Sequence, residues 1–318
     1  MWQSLCAAQP VTIFQDFDLN LAAAQIFAGR EQPFVVCAEA SYGAAIVPAV
    51  VRIRDGALRL LGEELFDYRA FLHRGDPAVL LGALAVLAEQ GIGLEVVALR
   101  EADCDRVPDG LPLVPFSAAP VVRHRQLSAQ EFADQHTRLG RNLRRLQRLG
   151  LEIKTCGGNE LRLLRAIYER KAAQSATSLF RDPLRVAFMA KAAQVMPERF
   201  EIFTLRSGSS MAAALVVLRD PGVRRFYTGW FAPELNQHSP AMTLIFEVTR
   251  QTLAAGLDCD YMTGEQPYKL RLAGDSEPLY RLTATAGQLA ALAGKAALAQ
   301  RTSRLELHPA LLPQRTAS

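Results

Sequence analysis

The chain has 318 residues, with 36 Lys and Arg against 32 Asp and Glu, a formal charge of +4, and half of its residues apolar. That length exceeds what one hydrophobic core ordinarily serves, so two domains are expected, and the apolar share excludes a largely disordered chain. The small positive excess does not by itself call for nucleic acid. Cys6, Cys37, Cys104, Cys156 and Cys259 are odd in number and widely spaced, with no CxxC pair. They indicate neither a zinc site nor a disulfide framework, and each reads as a small buried hydrophobe. Residues 1–14 lack the basic and long apolar regions of a secretory signal, and no apolar run reaches the ~18 residues of a membrane span. The expectation is a cytoplasmic chain in a reducing compartment, with no membrane span and no metal.

In chain order, Asp18 to Ala28 has helical composition. Gln32 to Ala40 and Ala45 to Arg54 are apolar runs rich in β-branched residues, and Asp55-Gly56 turns the chain into Ala57 to Leu61. Asp76-Pro77 opens a buried helix that ends near Gly91. Leu94 to Leu99 and Leu111 to Val122 are strands. A single long helix is predicted from Ser128 to Leu149: Ser128 and Glu131 form a capping box, and Gly150 stops it. Its apolar face is Phe132, His136, Leu139, Leu143 and Leu146, and an arginine stripe of Arg138, Arg141, Arg145 and Arg148, with Arg144 beside it, lies opposite.

The second half starts with a strand at Leu151 to Thr155 and helices at Asn159 to Gln174 and Pro183 to Val195. A meander follows, with strands at Phe200 to Arg206, Met211 to Arg219 and Val223 to Phe231. After a polar loop, Ser239 is the predicted N-cap and Pro240 the first residue of a helix to Ala255. The first-turn amides at Ala241, Met242 and Thr243, together with the helix dipole, form a place for a phosphate. Strands at Leu257 to Met262 and Leu279 to Ala284 and an Ala/Leu/Arg helix from Gln288 complete the chain, with a loose end after His308.

An antiparallel meander, a helix with a polar start and a further strand form the plan of a GNAT core. The "MAAAL" hairpin strand, the aromatic strand "FYTGW", the Ser-Pro helix start and the ending "DYMTGEQPYK" resemble the second half of the CelD-like acetyltransferases. These are GNAT-superfamily proteins linked to polysaccharide and cellulose biosynthesis, and related in fold to the Fem-type aminoacyltransferases. "TIFQDFDL", "LFDY" and "LGRNLRRLQRLGLEI" extend the resemblance over most of residues 12 to 285. Two departures stand out. Ala241 follows Ser-Pro where the family has Gly, and Gln237-His238-Ser239-Pro240-Ala241 replaces the ordinary GNAT phosphate loop.

The resemblance implies an α/β (α+β) fold of two tandem GNAT-like domains with mixed central sheets flanked by helices. They would comprise a degenerate copy at 1–125, a donor-binding domain at 126–286, and a helix and tail at 287–318. It implies an N-acyltransferase using acetyl-CoA or another acyl-CoA on a small-molecule or glycan-precursor amine. Lys269 would stabilise the oxyanion, Tyr227 would protonate the leaving thiolate, and Glu265 or Asp260 would take the proton of the attacking amine, Glu265 the better placed in its loop and Asp260 otherwise structural. His238, Ser239, Ala241, Met242 and Thr243 would hold the donor, and Asp67, Tyr68, Arg141, Arg144 and Tyr268 the acceptor. Two readings stay open beside this one. A tRNA-dependent Fem-like aminoacyltransferase would use the arginine stripe on its donor, although no inserted coiled-coil arm is present. A non-catalytic scaffold in a polysaccharide synthesis complex would need neither.

Overall fold

The computed structural model describes residues 1–299, apart from 10 and 63, together with 306–307; the expected loose end after His308 lies outside the described residues. The first elements are α1 (Trp2–Ala7), α2 (Phe17–Ile26), β1 (Glu31–Ala40), β2 (Gly43–Arg52), β3 (Leu58–Leu60), β4 (Leu72–Gly75), α3 (Ala78–Ala88), β5 (Leu94–Arg100), α4 (Glu101–Cys104) and β6 (Leu113–Val122). Then come α5 (Ala129–Gln135), α6 (Thr137–Arg148), β7 (Glu152–Gly157), α7 (Leu161–Gln174), α8 (Pro183–Val195), β8 (Phe200–Ser207), β9 (Ser210–Asp220) and β10 (Val223–Phe231). The last are α9 (Pro240–Ala254), β11 (Asp258–Asp260), α10 (Pro267–Leu272), β12 (Asp275–Ala284), α11 (Ala286–Ala299) and β13 (Glu306–Leu307). Two compact units result: Met1–Ser117 with the chain from Pro278 onward, and Ala118–Glu277.

The first unit is a mixed sheet. β1 pairs antiparallel with β2 along its whole length, β3 pairs parallel with β5, and β5 pairs antiparallel with β12. The apolar helix α3 buries Val79, Leu80, Ala83, Leu84 and Leu87 against β-branched and alanine positions of β1 and β2, and Leu289 and Leu292 of α11 close the same core. This accounts for an α3 sequence apolar all round: it lies between a sheet and another helix.

The second unit orders its strands β6-β11-β10-β9-β8-β7. β8 to β10 form the expected meander, β7 pairs antiparallel with β8 at its edge, and β10–β11 is the one parallel pair in this run. α9 packs against β8 to β11 and is covered by α5 and α6. The predicted helix from Ser128 to Leu149 is in fact broken at His136, whose φ of −116° and ψ of 37° leave the helical region. The break lets Phe132 on α5 stack on Phe246 of α9 at 5.6 Å between ring centroids, with the His136 ring edge-on to Phe132 at 4.6 Å. Both signals at the ends hold. Ser128 and Glu131 form the capping box, and Gly150, at φ 78°, ends the second helix in a left-handed conformation suited to glycine.

Phe132 is fully buried in the core that seats α9. We expect Phe132→Ala to lower the stability of the folded chain by about 3–5 kcal/mol, read as a shift of the urea midpoint.

Candidate active site

The site is built by two strands that part. β10 and β11 pair at Val223–Asp258, Arg224–Cys259 and Arg225–Asp260, and there the ladder ends. Beyond Asp260 the chain stays with β6: the Tyr261 amide donates to the Pro120 carbonyl at 2.9 Å, and the Gly264 amide to Ala118 at 2.9 Å. β10 meanwhile continues to Phe231 beside β9. A gap therefore opens between Phe226–Phe231 and the Tyr261–Gly264 segment. Past Arg225 the β10 ladder to β11 has ended, so a carbonyl or amide laid alongside could meet strand backbone there.

The fork is locked by charge. Arg225 lies between Asp220 and Asp260, and Asp220 also takes Arg199. Arg225 and Asp260 are 5% and 4% exposed, so this is a buried network in which each charge depends on its partners. The other Asp260 oxygen accepts from the Met262 amide at 2.7 Å. Met262 has φ 65°, unusual for a residue with a side chain. Its carbonyl and that of Thr263 accept from Lys269 Nζ at 3.1 and 2.8 Å. An aspartate on one side and a lysine on the other thus hold the turn that carries the chain away from β10.

Tyr227 is the extra residue of a bulge: Phe226 opposes Val217 and Thr228 opposes Val216, leaving Tyr227 unmatched at the mouth of the gap. Glu265 is exposed in the loop that follows Met262. Tyr268 and Lys269 lie on α10, a helix where the sequence suggested only a chain ending, and burial pushes the Tyr268 hydroxyl above its usual pKa. Cys259 beside the fork is also buried, its thiol pushed up to about 12, and so is no nucleophile.

At the α9 start the sequence reading needs correction. Ser239 does not cap with its side chain: it sits in the left-handed region, at φ 50° and ψ 51°, after the 3-10 turn Pro233–His238. Its carbonyl instead takes the Thr243 amide at 3.0 Å, so Thr243 has no amide to offer. Pro240 has none either, which leaves the Ala241 and Met242 amides as the open donors of the first turn. The Thr243 hydroxyl is fully buried without a partner among the described residues, and His238 Nδ1 likewise has none there. These unspent polar groups sit where the dipole favours an anion.

Arg141 and Arg144 are exposed on α6, and only Arg144 reaches a groove of about 270 Å³ against α9, formed with Thr137, Gly140, Leu143, Phe246 and Arg250. Asp67 and Tyr68 belong to the first unit, where the Tyr68 ring is core, 1% exposed and edge-on to Phe14 at 5.9 Å. Sequence reasoning missed the Arg225–Asp260 pair, although an Arg in a strand after a Pro-Gly turn and an Asp in the next strand are its only signal.

Residues 133–270 match the acetyltransferase (GNAT) domain family. Among curated proteins none matches the chain. Among solved structures, the C-terminal domain of a putative lysylphosphatidylglycerol synthetase from Agrobacterium fabrum is similar, with TM-score 0.60 and 11% identity over 94% of this chain and 95% of that one. L-PGS from Bacillus licheniformis gives 0.60 and 12% over 92% and 96%, and FemX gives 0.53 and 8% over 82% and 90%. At these identities the likeness is one of fold, and the fold is GNAT-like, a mixed α/β arrangement of sheets flanked by helices. No helix among the described residues is long and apolar enough to cross a membrane.

Arg225→Met leaves Asp260 buried beside no cation. We expect it to cost about 3–5 kcal/mol in urea unfolding, and Arg225→Met combined with Asp260→Leu to recover part of that loss.

Proposed function

We propose that the chain is an N-acyltransferase that moves an acetyl or similar acyl group from acyl-CoA to an amine. The observation that carries this is the parting of β10 from β11 next to the open first turn of α9. A thioester laid along β10 past Arg225 would put its carbonyl on backbone donors, while the donor's phosphates meet the Ala241 and Met242 amides, the Thr243 hydroxyl and the His238 ring. The side chain of Ala241 is compatible with this turn, since an anion there is read by backbone N–H groups. The match to the GNAT acetyltransferase family supports acyl transfer in general.

In this reading the amine attacks the thioester carbonyl, a C–N bond forms, and the C–S bond breaks as the amine loses a proton and the thiolate gains one. Such a reaction needs orientation more than covalent machinery. Tyr227, at the bulge, is the candidate acid for the thiolate, and Glu265 in the loop across the gap is the candidate base. Lys269 acts through the turn it holds: with its ammonium on the Met262 and Thr263 carbonyls it keeps the gap open and lends it positive potential. Tyr268 is the candidate acceptor contact on the same helix. An amino sugar or cell-surface polysaccharide precursor is the acceptor class we favour, with Asp67 and Tyr68 assigned no contact beyond their own unit.

One observation favours a second reading. Arg138, Arg141, Arg144, Arg145 and Arg148 are all exposed on α6, with no ion pair among the described residues. An aminoacyl-tRNA donor, as in a Fem-like aminoacyltransferase, would engage such a face through its phosphates.

Isothermal titration with acetyl-CoA separates the two, and complete absence of binding at millimolar donor would sink the first. Where binding occurs, Ala241→Pro keeps a residue suited to a first helical turn but deletes one donor, and we expect affinity to fall about tenfold with little loss of stability. Tyr227→Phe should lower kcat with acetyl-CoA affinity unchanged; an unaltered rate removes Tyr227 from the chemistry.

A further inference from the structure

The layer of α7 holds a cation that the scheme above leaves unused. Leu164, Ile167 and Tyr168 are the buried residues of α7, and Lys171 and Gln174 continue their stripe at helical spacing. Both ends of that stripe are fixed on β10. The Tyr168 side chain is wholly buried and turned toward Thr228, and Gln174 Nε2 donates to the Phe231 carbonyl at 3.3 Å. From Tyr168 to Gln174 the helix rises ~9 Å, and from Thr228 to Phe231 the strand advances ~10 Å, so the two run in step. Lys171, between the fixed points, is therefore placed along the Thr228–Phe231 stretch. Arg170, next to it, places its guanidinium 5.0 Å from the Trp230 ring.

That stretch of β10 borders the gap. Phe226 and Phe231 belong to the core shared with α9, whereas Thr228 and Trp230 face α7. Lys171 thus approaches from the face opposite the α9 start, where the donor's phosphates are proposed to sit. Lys171 is half-buried, and no carboxylate pairs with it among the described residues. Burial alone lowers its pKa, with no acidic neighbour to raise it. Tyr168, one turn earlier, is wholly buried and anchors this part of α7. The half-buried Lys171 ammonium, with no carboxylate beside it among the described residues, is free to pair with a ligand's anionic oxygen.

We propose that Lys171 binds an anionic oxygen group, carboxylate or phosphate, carried by the amine acceptor close to its reacting nitrogen. This rests on the acyl-transfer reading of the gap and narrows it: the acceptor is an amine with a nearby negative charge rather than a neutral amine. Lys171 is a specificity contact and takes no part in proton transfer.

Two measurements test it. Acetyl transfer from acetyl-CoA is followed with two matched pairs of amines, glucosamine 6-phosphate against glucosamine and β-alanine against β-alaninamide, which distinguish phosphate from carboxylate. The expected result is a preference of about tenfold in kcat/KM for the charged member of one pair. Lys171→Gln should abolish that preference through KM with kcat nearly unchanged, and Lys171→Arg should restore most of it. A preference that survives Lys171→Gln, or equal use of both members of both pairs, overturns the proposal. Independently of turnover, the protein is reductively 13C-methylated and the Lys171 signal, assigned by its loss in Lys171→Gln, is titrated with inorganic phosphate and with acetate. Saturable shifts in the millimolar range are expected, and their absence for both ions overturns the anion contact whichever amines react. Failure of acetyl-CoA to bind sinks the acyl-transfer reading instead, and the methyl-lysine titration still judges Lys171 on its own.

Discussion

The Arg225–Asp260 ion pair is the rung on which the second unit depends. A parallel pair of strands can part only where something stops the ladder from continuing, and here a buried charge network ends it. Burying these groups carries a large desolvation penalty, and an apolar pair of similar volume would hold the strands together as well or better. What the charges add is position. Asp260 takes both Arg225 and the Met262 amide, so the pair that closes the ladder also bends the departing chain. Lys269 then fixes the far side of the bend through two carbonyls. The gap is thus framed by polar groups whose partners are internal.

The α9 start leaves a helix end open in an unusual way. A serine that capped with its own hydroxyl would satisfy a first-turn amide and blunt the site. Ser239 instead adopts a left-handed conformation that supplies only its carbonyl, to Thr243, and leaves two amides open. The strain this costs is of the kind found at functional positions.

Much of the fold was legible because it rests on local signals. The meander in the second unit, α8 at its stated limits and the capping box at Ser128 follow from alternation, turn dipeptides and cap chemistry. The break at His136 was not, since the apolar spacing across it still fits one continuous helix; what bends the chain there is the tertiary stacking of Phe132 on Phe246. Nor was α10 legible, because Pro267 begins it and six residues are too few for a periodic pattern. Of the candidate site, the α9 start and Tyr227 could be picked out by their place in the strand order. The buried pair and the α7 stripe could not, because each joins residues far apart in sequence, and an arginine or lysine on a helix looks the same whether it faces water or a strand.

The bulge at Tyr227 reverses the phase of β10. Before it, Arg224 and Phe226 face α9; after it, Thr228 and Trp230 face α7 and Phe231 returns to the α9 core. Alternation along the strand is therefore out of step with itself, and one residue sets the parity of everything downstream. Losing that residue would exchange the two layers, sending Trp230 into a core filled by Phe231 and turning Phe231 out beneath α7. In an evolving lineage the length of this strand is then far more constrained than its composition: side chains there can drift within their layer, but a one-codon deletion has no small effect.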